Sequence, residues 1–155
     1  MRPRTRSAAI LAFAVLLVIV TTVLAPVASA AREASFARMN GAKEIPGPGD
    51  PDGRGRAKIA VFPARERLCF AIKVARIILP AAAAHVHEGP KDVAGPVVVT
   101  LIPPDSEGVS AGCVEVTDTR LLRRIRRDPG AFYVNVHTSD FADGAVRGQL
   151  RPFPE

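Results

Sequence analysis

From Ala34 onward, apolar and polar residues alternate along most of this chain with a period of two. Leu68, Phe70, Ile72 and Val74 fall on one face of a segment whose other face carries Ala71 and Lys73, which is the pattern of a half-buried strand. The same reading, with its enrichment in β-branched and aromatic residues, predicts strands over 34–39, 56–62, 68–75, 83–87, 97–102, 112–116, 132–137 and 145–150. Val97-Val98-Val99 is uniformly apolar, which fits a central strand. Gly and Pro punctuate the segments. The run 47–55 reads as a solvated hairpin loop, because its acidic pair Asp50 and Asp52 lacks the register of a calcium loop. One helix is predicted, capped by Asp118 or Thr119 and stopped by Asp128-Pro129-Gly130. Leu121, Leu122 and Ile125 form its apolar side, and five arginines between Arg120 and Arg127 form its wet side. Short strands with regularly spaced turns predict an all-β, Greek-key β-sandwich with one short helix.

The first thirty residues follow a different logic. Arg2, Arg4 and Arg6 precede a long apolar stretch that ends at Ala28-Ser29-Ala30. This is the layout of a secretory signal peptide with a small-residue cleavage site. The expected organisation is therefore a signal peptide over 1–30 and one domain over 31–155, secreted or held in the cell envelope. No membrane span is expected after cleavage, and a monomer is expected. An uncleaved anchor helix is the other reading of the same stretch. Three of the six net positive charges belong to the leader's arginines, so the exported part carries +3. That mild excess gives little reason to expect nucleic acid as a partner.

Export changes how the cysteines read. Cys69 and Cys113 are an even count in an oxidising space, each in a strand-like context, and a disulfide between them is expected. Two buried thiols remain the alternative.

The chemistry-bearing residues are the histidines, and the chain has three. His85 and His87 share a face of their strand, as do Asn135 and His137 of theirs. If the two strands are neighbours, the imidazoles cluster. Three imidazoles with an open position suit Cu or Zn. Glu88 and Asn135 are then the expected outer partners that orient the rings. Equally, the histidines can bond Asn135, Thr138 or Glu88 and lock two strands in register without metal. Ser139 and Asp140 follow His137, but adjacency is not triad geometry, and no catalytic residue is assigned.

Several pieces, taken in order, resemble the chordin-type domain (CHRD) of exported bacterial proteins and animal chordins. They are Phe36 with Gly41-Ala42-Lys43-Glu44-Ile45-Pro46, Leu68-Cys69-Phe70, and Ala84-His85-Val86-His87-Glu88-Gly89. Gly95-Pro96-Val97-Val98-Val99-Thr100-Leu101 and Gly112-Cys113-Val114 follow. Tyr133-Val134-Asn135-Val136-His137-Thr138 and Gly144-Ala145-Val146-Arg147-Gly148-Gln149-Leu150 close the set. The resemblance implies an immunoglobulin-like β-sandwich, export and no established reaction. A non-enzymatic module that binds a protein or a cell-envelope component is the function it implies. More locally, His85-Val86-His87-Glu88 is similar to the copper-ligand strand of copper-zinc superoxide dismutases. With three histidines, the full two-metal site of those enzymes cannot form.

Overall fold

A computed structural model describes residues 34–153. The expected signal peptide lies outside them. Among the described residues no helix is long and apolar enough to cross a membrane.

The strands are β1 (Ala34–Asn40), β2 (Arg54–Phe62), β3 (Arg67–Ala75), β4 (Ala83–Glu88) and β5 (Val97–Leu101). They continue with β6 (Val109–Glu115), β7 (Phe132–His137), β8 (Val146–Gln149) and the two-residue β9 (Arg151–Pro152). One helix, α1 (Thr119–Arg127), lies between β6 and β7. All ladders are antiparallel, in the order β5-β4-β7-β8-β1-β2-β3-β6, with β9 added to β1. The sheet curls until its two ends approach. Ser110 Oγ on β6 donates to the Ile102 carbonyl just past β5, at 2.7 Å. Among the described residues the fold is thus all-β, one nearly closed antiparallel sheet with a single short helix.

Alternation explains what the curl encloses. Leu68, Phe70, Ile72 and Val74 of β3 are buried together with Ala84 and Val86 of β4 and Val134 and Val136 of β7. Leu121, Leu122 and Ile125 of α1 are buried in the same core. Asp118 caps the helix, its Oδ1 accepting the backbone N–H groups of Arg120 and Leu121 at 2.9 and 3.0 Å, which satisfies two of the orphan donors of the first turn.

Two expectations need correction. β5 is an end strand and not a central one, with Val97 48% exposed. Its apolar run packs Val99 and Leu101 inward, while a bulge opposite Val86/His87 breaks the alternation at Val98. The 47–55 loop is also less solvated than its composition suggests. Asp50 N–H donates to the Ala145 carbonyl at 2.9 Å, and Gly49 and Gly53 are buried. Asp50 Oδ1 meanwhile accepts from the N–H groups of Asp52 and Gly53, an Asx-type turn with no call on a cation.

Cys69 and Cys113 face each other in the β3–β6 ladder and are bonded, S–S 2.07 Å. The bond does not cross from one half of the sheet to the other. It ties the end strand β6 to its neighbour on the outer surface and closes the chain segment that contains β4 and β5.

A candidate metal centre

The inner face of β4 and β7 is spent on Ala84, Val86, Val134 and Val136, so the alternate residues must point outward. Those residues are His85, His87, Tyr133, Asn135 and His137. The β4–β7 register sets His85 opposite Asn135, His87 opposite Tyr133 and His137 opposite Ala83. His137 is therefore the diagonal neighbour of His85, with only the methyl of Ala83 beside it. Diagonal pairs on one sheet face are within reach of long side chains. One nitrogen from each of the three imidazoles lies within 4.8 Å of the others.

The hydrogen bonds identify which nitrogens are free. His87 Nδ1 lies 2.8 Å from the Gly95 carbonyl, and His137 Nδ1 lies 2.8 Å from the Ala142 carbonyl. A carbonyl only accepts, so both Nδ1 atoms carry hydrogen, and in a neutral ring the lone pair is then on Nε2. His85 Nδ1 sits 3.0 Å from His137 Nε2 and donates to it. His87 Nε2 is buried and has no partner. Burial holds His85 below its ordinary range, helped by its neighbours His137 and His87. Burial also lowers His87, against the opposing pull of its Gly95 bond. Neutral imidazoles are the ligand form.

Loop 89–96 roofs this face. Gly95 must approach β4 closely, since a Cβ there would stand 1.7 Å from the Glu88 carbonyl oxygen. That approach brings the Gly95 carbonyl to His87 and to the Tyr133 hydroxyl, which donates to it at 3.3 Å and accepts from Gly95 N–H at 3.1 Å. Tyr133 stacks on His87 with ring centroids 4.7 Å apart. The Arg147 guanidinium lies 3.4 Å from the centre of the Tyr133 ring and donates to the Pro90 carbonyl at 2.9 Å. Gln149 donates to the Gly89 and Gly130 carbonyls. The face is thus a buried polar layer between sheet and loop.

The other expected site residues fare differently. Asn135 is present in the layer. Its side chain lies close enough to the His87 ring to favour the charged form, yet Asn135 Oδ1 completes no hydrogen bond. Glu88 is not beside the imidazoles. It follows His87 by one residue, alternation turns it to the opposite face, and there it pairs with Arg124 of α1. His137 turns its Nδ1 to Ala142 and away from Asp140, whose partner is Ser139 Oγ. The orienting groups of His87 and His137 are backbone carbonyls, for which no side-chain signal exists. Tyr133 and Arg147 were visible as residues, but their stacking depends on the β7–β8 register.

Glu44 forms a second buried polar feature, at the seam where β1 meets β8. Its Oε1 has no partner, and burial pushes the carboxyl up to about 8 despite the nearby Arg147. Gly144 covers it at φ +139°, where a Cβ would stand 2.4 Å from the Glu44 carboxyl carbon.

The family model described as the CHRD domain matches residues 35–150. The chain belongs to the CHRD domain family. The match spans all of the strands β2 to β8 and therefore every residue of the histidine layer. No curated protein and no solved structure matches this CHRD chain.

Proposed function

We propose that this CHRD chain is an exported, non-enzymatic binding protein, and that His85, His87 and His137 hold a copper or zinc ion. The observation that carries the metal reading is the donor geometry. Three imidazoles converge, two of them fixed by a carbonyl on the far nitrogen, and the buried His87 Nε2 has no partner. Carbonyl-held histidines are the usual arrangement around a protein-bound ion. Donors about 2 Å from one ion stand roughly 3.3 Å apart in tetrahedral geometry, so the cluster needs a small closure. His85 would release Nδ1 by shifting its hydrogen to Nε2, with no net proton loss. The all-histidine set suits Cu or Zn and disfavours Mg or Ca.

Support for the binding-module reading is the family itself. The disulfide and the leader-like N-terminal sequence support export. The resemblance also implies the immunoglobulin-like Greek-key sandwich, and the connections fit it: β3 to β4, β5 to β6 and β6 to β7 each pass between the two halves of the sheet.

The test is elemental analysis of untagged secreted protein, followed by titration with Cu(II) and Zn(II). We expect one equivalent bound, with affinity falling at least about 100-fold in His137→Ala, since loss of an orienting partner alone costs about 10–100-fold. Because burial lowers His85 and His87, binding should persist at pH 6, where ordinary histidines are largely protonated. Equal affinity of the parent and His137→Ala would refute the site.

A further inference from the structure

The outer face of the β1-β2-β3 half carries a different chemistry. Register places Arg38 opposite Arg56, and Arg56 opposite Lys73. Three cationic residues thus stand abreast on neighbouring strands whose backbones run about 5 Å apart. Lys58 and Arg54 flank the middle of the row on β2. All five are exposed, and among the described residues none has a carboxylate within 4.0 Å. Like charges directly opposite one another destabilise a sheet, so this row works against the fold that displays it. Lys43 adds to the cluster: it donates to the Arg38 carbonyl at 2.6 Å. Burial lowers its pKa, with further lowering from Arg151 and Arg38.

The face is open, with one shallow depression. A groove of about 800 Å³ runs along it, lined by Arg38, Arg54, Arg56, Lys58, Lys73 and the Phe36–Phe153 pair, whose ring centroids are 5.6 Å apart. Lys58 Nζ lies 5.4 Å from the Phe153 ring centre. Among the described residues, the large exposed aliphatic side chains Ile78, Val93 and Ile102 lie outside the groove, whose apolar surface is supplied by the Phe36–Phe153 pair.

We propose that this groove binds an acidic polysaccharide, with the Arg38–Arg56–Lys73 row pairing to successive uronate carboxylates and the phenylalanines covering the apolar face of a sugar ring. Charge complementarity carries the proposal. Guanidinium forks match carboxylates, a groove holds one extended chain better than a planar surface, and paired anions would relieve the repulsion in the row. The site lies on the other half of the sheet from the histidines and is independent of them.

The test is calorimetric titration of the secreted protein with polygalacturonate, using its methyl ester as the uncharged control. We expect saturable binding that weakens at least about tenfold between about 50 and about 200 mM salt, and no binding to the ester. Arg38→Gln/Arg56→Gln/Lys73→Gln should lose at least about tenfold in affinity and melt no lower than the parent, because repulsion is removed. Arg120→Gln/Arg127→Gln on the helix should bind as the parent does. If the triple variant misfolds, Arg56→Gln alone must still weaken binding. Absence of binding, an equal loss in the helix variant, retained affinity in the Gln variants, or tighter binding to phosphatidylglycerol vesicles than to the polymer would each overturn the proposal. Metal uptake on the same samples separates this outcome from that of the histidine site.

Discussion

Glu44 and the histidines titrate in opposite senses, and the sign of each follows from its surroundings. Glu44 is raised from 4.5 to about 8 by burial, so between those values the folded protein holds a proton that the unfolded chain releases. Stability therefore falls as pH rises from about 4.5 to about 8. His85 and His87 are lowered below 6.5, so the unfolded chain holds the extra proton there, and stability falls as pH drops below 6.5. We expect Glu44→Gln to remove the alkaline loss and to melt higher than the parent at pH 8 and above, measured by thermal denaturation of metal-free protein across pH 4–9. An unchanged pH profile would show that Glu44 is not buried as described. At this scale the sequence showed the histidine trio, because period two is enough to put His85 with His87 and Asn135 with His137. The same rule, applied one residue further, would have turned Glu88 away. Glu44 carried no such mark: its burial depends on Gly144, a hundred residues on in the chain.

The strands and the helix were the most legible parts of the chain. Eight of the nine strands overlap a segment that apolar alternation or β-branched and aromatic enrichment predicts, and α1 sits between a capping aspartate and a proline. The run of three valines misled, since an apolar triplet reads alike in a central strand and in an end strand that the core and a bulge partly cover. β9 is only two residues long and includes a proline, so pattern alone could not find it. β6 is an end strand with a ladder partner on one side. The Cys69–Cys113 bond fastens it there, 44 residues apart in sequence, and a loop of that length stabilises by about 4 kcal/mol in the chain-entropy model. Reduction should therefore lower the melting temperature and raise hydrogen exchange first in β6, while leaving metal affinity nearly unchanged, because neither cysteine touches the histidine layer. Mass spectrometry of alkylated, unreduced protein checks the bond itself: no label should enter without reductant.

At the scale of the whole molecule, the division of labour between the two halves of the sheet was not legible. Both halves show the same alternation, and only the ladder order tells which outward-facing residues share a surface. It gathers the histidines, Tyr133 and Arg147 under one loop, and it lines up Arg38, Arg56 and Lys73 on the other half. Between them β1 meets β8 through a single register pair, Asn40 with Arg147, where the chain spends polar groups that no segment could reveal alone. One further property of the molecule comes from the stacked pair His87 and Tyr133. The chain has one tyrosine and no tryptophan, so its ultraviolet emission arises from a ring lying 4.7 Å from an imidazole of the cluster. Copper is an efficient quencher at such range, and zinc, with its filled d shell, is not. The protein thus carries its own optical reporter. Cu(II) should extinguish the tyrosine emission stoichiometrically and Zn(II) should leave most of it, and His137→Ala should shift the copper response to higher concentration.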